Sequence, residues 1–279
     1  MKKLPLFFLF IFLNVYSQKP QSGLLLTIGS EYTEAEVTFN DDHVEKGFVY
    51  GFIDNRIIEI ANPLSPGLET LESSLNFNDK KFKFKSKLEA EAVILTTDEI
   101  RRVKMFRKNG KVEDFWLMDL KTANIKGEII DLKKKVWLPV YEQGKVNMFA
   151  YDLYTEGKYF FTAIYLNNSK DNVAIAPLDI NRINFFNMSK IDDKIFSVLN
   201  EVFKDCPEYI VRINEDREQT LHEKFKGSKQ DKIDRKALKE ESKGLSKNEK
   251  IHLENNLRRE IWMDPYLKFV KEYTATCPN

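Results

Sequence analysis

Few side chains in this sequence have types and spacing suited to acid–base or metal chemistry. His43 follows Asp41 and Asp42 at a predicted strand turn, and an Asp-Asp-His group could bind a metal ion or transfer protons. Adjacent residues on a turn point in different directions, however, and such turns are commonly polar for local hydrogen-bonding reasons. We therefore predict no functional role for His43. The other two histidines, His222 and His252, are expected at the surface of a charged segment.

Motifs for the common enzymatic chemistries are absent from the sequence. The chain has no HExxH, GxSxG, GxGxxG or P-loop pattern. Its 11 glycines leave little scope for a phosphate-binding loop. Because 43 residues are acidic, the sequence alone does not select a catalytic pair of carboxylates. We predict no catalytic residue, no metal ligand and no cofactor.

The first 17 residues have the organisation of an export signal. Two lysines precede an apolar run over residues 4–13, and Val15 and Ser17 then occupy positions −3 and −1 of a cleavage point before Gln18. The alternative is a membrane anchor, but a spanning helix needs about 20 apolar residues. A lipoprotein signal would need a cysteine at the cleavage point. We expect a mature chain without a stable membrane span, periplasmic or secreted after cleavage of the signal peptide.

The charge balance argues against nucleic acid as a partner. Removal of the signal takes the basic count from 44 to 42 against 43 acidic residues, so the mature net charge is about −1. Nucleic-acid-binding domains usually have a basic footprint. The content of aromatic residues, 13%, is typical of a globular chain with a core. The predicted partner is another envelope or secreted protein, and the sequence does not show whether the protein has a small-molecule ligand.

Two cysteines, Cys206 and Cys277, remain after the predicted processing. In an exported protein, such a pair is most simply one disulfide. The alternative is two free buried thiols. No CxxC spacing indicates redox or zinc chemistry. The bond would join the ends of two predicted helices and close the charged segment between them at its base.

Two hairpins are predicted in the first half of the chain. Asn109-Gly110 lies between two strand-like runs, and this pair tolerates the positive φ angles of a type I′ turn. Residues 47–52 and 56–60 flank a polar Asp-Asn pair and predict a second hairpin. Residues 81–85 alternate lysine with phenylalanine, so a strand there would separate the two types by face. A row of lysines usually marks a solvated face or a protected edge, and we predict no binding role for it.

A strand-rich segment with many aromatic residues follows. Residues 136–141, 146–153 and 159–166 are separated by glycines and predict a three-strand meander, with a fourth strand at 173–176. The aromatic residues could line a ligand groove or pack on a sheet face with their hydroxyls at its rim. The candidates for a binding surface are Trp137, Tyr141, Tyr151 and Tyr159.

The pattern becomes helical near residue 189. One apolar stripe predicts a helix that ends before Cys206-Pro207, and its members are Ile195, Phe196, Leu199, Val202 and Phe203. A short helix is expected to follow over residues 208–214.

Just over half of the residues at about 215–260 are charged. Thr220 and Ser246 each precede a glutamate by three residues, the pattern of a capping box. This segment is either a partner-binding arm or a solvated helical excursion, and charge runs are usually the latter. A last helix is predicted to begin at Asp264-Pro265.

Several segments resemble a group of uncharacterised exported proteins of Bacteroidota-type bacteria. The similar segments are residues 44–49, 82–84, 98–100, 137–146, 203–208 and 270–277. The resemblance covers most of the mature chain, and the charged segment would be an insertion relative to the group. It implies export, a strand-rich body and C-terminal helices that carry a Cys-Pro pair and a terminal cysteine. The group has no established activity, so the resemblance adds no site residues.

These patterns predict an α+β fold. Residues 18–188 would form an antiparallel, meander-rich sheet or partly open barrel, and residues 189–279 a helical region. The predicted function is a non-enzymatic binding or envelope-associated module. The alternative is an extracytoplasmic hydrolase with an unrecognised carboxylate or histidine site. A deep pocket with converging Asp, Glu or His side chains would favour the hydrolase, whereas a flat surface with one aromatic patch would favour binding.

Overall fold

The described part of the chain has eight segments. The computed structural model describes residues 31–52, 57–59, 82–108, 110–124, 126–155, 158–177, 191–225 and 236–277. The predicted signal peptide and the predicted boundary at 188/189 lie outside these residues. Within them, no helix is long and apolar enough to cross a membrane.

Strands come first in the chain and helices follow. The strands are β1 Thr33–Phe39, β2 Val44–Tyr50, β3 Ile57–Glu59, β4 Phe82–Lys85, β5 Val93–Leu95, β6 Ile100–Phe106, β7 Val112–Ala123, β8 Ile129–Glu142, β9 Val146–Thr155, β10 Lys158–Asn168 and β11 Val173–Ala176. The helices are α1 Ile191–Val202, α2 Pro207–Glu215, α3 Arg217–Lys224 and α4 Lys247–Thr276, and residues 236–241 are also helical. This arrangement confirms the predicted α+β class.

Strands β7 to β11 form a small mixed barrel. They pair in sequence order as an antiparallel meander, and β11 then pairs in parallel with the second half of β7, with Val173 opposite Asp119. The meander and the fourth strand were predicted, whereas the parallel closure was not. Alternate side chains fill the interior because strand residues point to opposite faces in turn. The interior residues include Met118, Leu120, Leu138, Phe149, Tyr151, Phe161 and Tyr165.

Five further strands, β5-β4-β2-β1-β6, extend from the first half of β7, and we call them the added sheet. One face of the added sheet covers a second core. That core includes Val37, Val49, Phe82, Phe84, Val103, Phe115 and Trp137. Phe82 and Phe84 therefore point inward and the lysines of β4 outward, as the alternation at residues 81–85 predicted.

The β6–β7 hairpin is confirmed, but its turn is not the predicted two-residue type. Arg107 N donates to Lys111 O at 2.9 Å, and Gly110 N donates to Arg107 O at 2.9 Å. Three residues therefore close the loop, with Gly110 at φ +78°. A three-residue loop needs its glycine in the left-handed region at the last position, and Asn-Gly fits that turn as well as type I′.

The hairpin predicted between residues 47–52 and 56–60 is wrong. Strand β3 pairs in parallel with β9, with Ile57 opposite Asp152, whereas β2 pairs with β1 and β4. The intervening residues 53–56 lie outside the described residues. Two strand-like runs around a polar pair do not show which strand each run pairs with. The second run pairs with the edge of β9 instead of with the first run.

The helices pack on the outer face of the barrel. The predicted stripe of α1 is buried together with outward-facing residues of β9, β10 and β11 in one hydrophobic cluster. The predicted disulfide is present, with Cys206 and Cys277 sulfurs 2.03 Å apart. It joins the first residue before α2 to the first residue after α4. The two helix ends are therefore fixed against each other, as predicted.

The charged segment differs from its prediction at two helix starts. Ser246 caps α4 through the predicted capping box. Helix α3, however, is capped by Asp216, so Thr220 lies inside it. Helix α4 runs continuously for 30 residues through Pro265, where a new helix was predicted. An interior proline removes one backbone donor, and its ring clashes with the carbonyl four residues earlier, at a cost of about 3 kcal/mol. Burial of the flanking Met263 and Tyr266 stabilises both sides of Pro265 and offsets this cost.

Candidate functional site

The four aromatic candidates do not share a surface. Trp137 is 1% exposed beneath the added sheet, Tyr151 is 3% exposed inside the barrel, and Tyr159 is 8% exposed on the barrel's outer face. Tyr141 is 41% exposed, and the Arg259 guanidinium carbon lies 5.5 Å from its ring centroid. Three of the four candidates are buried, which agrees with the alternative that they pack on a sheet face, and a binding role for any of the four stays a prediction. Strand alternation distributes these rings between two cores and the barrel exterior, which the aromatic content of a segment does not indicate.

A buried polar cluster surrounds Asp152 on β9. Asp152 accepts a hydrogen bond from Thr162 Oγ1 at 2.6 Å, and Arg259 Nε lies 3.0 Å from its other carboxylate oxygen. The hydroxyl oxygens of Tyr159 and Thr162 are 2.9 Å apart. Burial raises the pKa of Asp152, although the Thr162 bond and the Arg259 charge oppose this effect. Burial likewise raises the pKa of Tyr159 to about 12.

Helix α4 supplies the other side of this cluster. Asn255 Oδ1 accepts from the backbone N–H of Tyr159 at 3.3 Å, and Trp262 Nε1 donates to the carbonyl of Thr162 at 2.9 Å. The rings of Trp262 and Phe161 are 4.8 Å apart. The cluster therefore attaches α4 to β10, and this part of the charged segment is docked rather than projecting. Most of the buried polar groups satisfy each other, which favours a structural role for them. Arg259 Nε is the exception among the described residues of the cluster, because it lies 3.0 Å from Asp152 as an ion pair but forms no hydrogen bond.

His43 lies at an exposed turn. Its Nδ1 is 2.5 Å from Asp41, its Nε2 is 3.5 Å from Glu45, and its ring stacks on Phe39 at 4.0 Å. The hydrogen bond that the ring donates to the Asp41 carboxylate raises the pKa of His43. Each nitrogen of the ring therefore has a carboxylate nearby in the sequence as its partner. That His43 has no function stays a prediction.

In the described ranges, Cys206, Glu208 and Cys277 form a group of possible metal ligands. Its two sulfur atoms are bonded to each other in the disulfide. A disulfide sulfur is not a thiolate, and the thiolate is the form that ligates metals. The group therefore has one carboxylate as its single strong ligand.

The exposed side of the added sheet carries aromatic and basic residues, and we call it the aromatic–basic face. Its members are Tyr32, Phe48, Tyr50, Lys83, Lys85, Arg102, Lys104, Phe106 and Trp116, all exposed or half-buried. They share one face because they alternate with the buried residues of the second core. Cross-strand pairing places Lys83 beside Tyr50, Lys85 beside Phe48, and Arg102 beside Trp116.

A cation lies over each of four rings on this face. Lys85 Nζ is 4.8 Å from the ring centroid of Tyr32, and Lys83 Nζ is 5.9 Å from that of Tyr50. Lys104 Nζ is 5.4 Å from the centroid of Phe106. The Arg102 guanidinium carbon lies 5.0 Å from the Trp116 ring. Interactions of this kind contribute about 0.5–1 kcal/mol each at exposed sites, so the cations are held loosely.

The charges of the aromatic–basic face are only partly paired. Arg102 forms two hydrogen bonds with Asp114, and Lys46 pairs with Glu36 at 3.2 Å. Within the described ranges, Lys83, Lys85 and Lys104 form no ion pair, and Lys85 donates instead to the carbonyl of Leu88. One further acidic residue, Glu34, shares this face. The uncompensated charge is therefore positive.

The sequence prediction did not include these residues. The lysines at 81–85 were visible, but a solvated face was the expected explanation. Phe48 and Tyr50 alternate with the buried Gly47 and Val49, which was a detectable signal. Their assembly with β6 and β7 depends on strand order, which this signal does not contain.

A cleft of about 250 Å³ lies between the barrel and the C-terminal end of α1. Its lining residues are Lys121, Asn168, Asp171, Asn172, Val173, Ile175, Glu201, Val202 and Lys204. Lys204 Nζ is 3.1 Å from both Asp171 and Glu201. No histidine lines this cleft, and its two carboxylates share one ammonium group.

Comparison with known proteins supplies no relative to guide the assignment. No protein-family profile matches the chain, and neither curated proteins nor solved structures match it significantly. The functional argument therefore depends on the surfaces just described.

Proposed function

We propose that this protein is an exported, non-enzymatic binding module that holds an acidic polysaccharide on its aromatic–basic face. The observation that carries the proposal is the set of four cation-over-ring pairs on one accessible sheet face. Aromatic rings offer flat apolar faces to the C–H faces of sugars, and lysines offer ammonium groups to their carboxylates. Both groups alternate on the same surface.

The dimensions of the face favour a polymer. The face spans β4, β2, β1, β6 and β7, which are neighbours in the sheet. Strands are about 4.8 Å apart, so four spacings give a width of about 19 Å. A single sugar would contact only one or two of the four ring–cation pairs. An extended chain would contact several, and each added contact strengthens the complex through effective concentration.

Export is the second part of this proposal. The N-terminal pattern of charged, apolar and small residues supports it, and the Cys206–Cys277 disulfide agrees with an oxidising compartment. The mature chain has a net charge of about −1 and so lacks the basic footprint of a nucleic-acid-binding domain, which favours a polysaccharide among polymers that are negatively charged.

The hydrolase alternative rests on the cleft at Lys204. Its two carboxylates, Asp171 and Glu201, share the single Lys204 ammonium group, so the geometry does not set one apart from the other as acid and base. The geometry therefore favours binding over catalysis.

Binding to a polyuronate tests the proposal. Polygalacturonate and its fully methyl-esterified form would be titrated against the mature protein by calorimetry at two salt concentrations. We expect polygalacturonate to bind, the esterified polymer to bind at least tenfold more weakly, and affinity to fall with salt because the contacts are ionic.

A triple variant, K83Q/K85Q/K104Q, should lower the affinity for polygalacturonate at least tenfold. The control is K239Q/K250Q/K271Q, which makes the same charge change at exposed helical lysines. Absence of binding to polygalacturonate, or equal loss in the two triple variants, would overturn the proposal.

A further inference from the structure

The cleft beside α1 has a polar rim and an apolar floor. Val173 and Ile175 of β11, together with Val202 of α1, supply the apolar part. Asn168 fixes one wall, because its Nδ2 donates to the carbonyl of Val202 at 3.2 Å. Strand β7 contributes Lys121, which is paired across the sheet with Ile175. Elements from both the barrel and the helical region therefore build the cleft.

The two carboxylates of the cleft lie at one end of it, and one of its two lysines lies on the β7 side. Asp171 and Glu201 hold the Lys204 ammonium between them, with 3.1 Å to each carboxylate. Lys121 lies on the β7 side. It forms no ion pair with a described residue, although its charge helps to lower the pKa of Asp131, its cross-strand neighbour on β8. The two lysines and two carboxylates cancel in number. A ligand that is neutral overall but carries both charges matches this arrangement.

The carboxylate end of the cleft is built to hold an ammonium group. The separation of Asp171 and Glu201 already accommodates the Lys204 ammonium with both distances within hydrogen-bond range. The C-terminal end of α1 adds partial negative charge, since the last carbonyls of a helix lack helical partners. Lys204 is 45% exposed at its side chain, so a ligand ammonium group can displace it into solvent.

We propose that this cleft binds a small zwitterion with an aliphatic side chain, a free amino acid or a dipeptide. Its ammonium group occupies the position of the Lys204 ammonium between Asp171 and Glu201. Its carboxylate binds Lys121. Its side chain packs on the floor of the cleft. The volume of about 250 Å³ lies just below the usual range for ligand sites, about 300–1,000 Å³, which restricts the ligand to this size.

Thermal-shift and calorimetric titrations with leucine and leucyl-leucine test this proposal. N-acetyl-leucine lacks the ammonium group and leucinamide lacks the carboxylate, so each should bind at least tenfold more weakly than leucine. If neither zwitterion binds, or if both blocked compounds bind as well as leucine, the proposal is overturned.

Three variants assign the roles of the two lysines. K121Q should lower the affinity at least tenfold, because the ligand carboxylate loses its partner. K204Q should raise the affinity or leave it unchanged, because an internal competitor for the carboxylates is removed. K250Q, at an exposed lysine of α4, is the control and should not change it. A loss of affinity in K204Q equal to that in K121Q would overturn the assignment, because Lys204 would then bind the ligand itself.

Discussion

Breaking the disulfide between Cys206 and Cys277 is expected to lower the free energy of unfolding by about 4 kcal/mol. The two cysteines are 71 residues apart in sequence. In the chain-entropy model, a cross-link of that span lowers the entropy of the unfolded chain by about 15 cal/mol/K, which is about 4.4 kcal/mol at 25 °C. Both cysteines are buried, so their replacement by alanine adds a smaller loss of packing.

Urea denaturation of the oxidised protein, the reduced protein and the C206A/C277A variant measures this effect. The reduced protein keeps both sulfur atoms and isolates the cross-link. We also expect a larger m-value without the bond, because the unfolded chain then exposes more surface. The C206A/C277A variant should not respond to reductant. A difference below about 1 kcal/mol between the oxidised and reduced proteins would refute the entropic argument.

Two further predictions concern buried positions. Burial raises the pKa of Asp152, so the folded state retains a proton that the unfolded state releases. The stabilising contribution of Asp152 is therefore full below pH 3.8 and is lost as pH rises through its raised pKa. Urea curves at several pH values should show this trend in the wild type and lose it in D152N, and a pH trend of equal slope in D152N would contradict the assignment. The R259M variant should lower the free energy of unfolding by about 2 kcal/mol near neutral pH, because it leaves a buried carboxylate without its partner. G47A should cost about 2–3 kcal/mol, since its Cβ would lie 2.1 Å from the backbone oxygen of Lys85. G144A, with its closest contact at 3.8 Å, is the matched control, and equal thermal denaturation of the two variants would contradict that prediction.

Those features of the fold that depend on local chemistry could be predicted from the sequence. The alternation of Phe82 and Phe84 with lysines defines two faces without knowledge of any partner strand. The stripe of α1 and the capping box at Ser246 are likewise local patterns. The disulfide was predictable because two cysteines leave one possible pairing and the N-terminal pattern predicts export.

Features that depend on distant pairing could not be predicted. The parallel pairs β3–β9 and β7–β11 are not joined by a tight turn. A tight turn in the sequence indicates that the two strands beside it pair, and parallel strands lack this signal. Pro265 illustrates a different limit. Its position after Asp264 is a good helix start, but packing on both sides stabilises a continuous helix instead.

The candidate surfaces were missed for the same reason. The aromatic–basic face combines residues from Tyr32 to Trp116 whose proximity depends on the order of five strands. In the cleft, Lys121 and Lys204 are brought together by the parallel closure of the barrel and the packing of α1. Neither arrangement exists in any short window of sequence. Trp137, by contrast, is conspicuous in the sequence and buried in the structure.

Strand β7 contributes side chains to two cores. The number of residues in β7 is therefore more constrained than the type of apolar residue at each of its positions. Phe115 and Leu117 face the core of the added sheet, whereas Met118 and Leu120 face the barrel interior. An insertion of one residue before Met118 would turn Asp119 toward the barrel interior, because each later side chain changes face. Apolar substitutions within β7 preserve both cores. A change in its length instead moves the later side chains of β7 to the opposite face of the strand. Insertions are therefore tolerable in the loops that flank β7 and not within the strand itself.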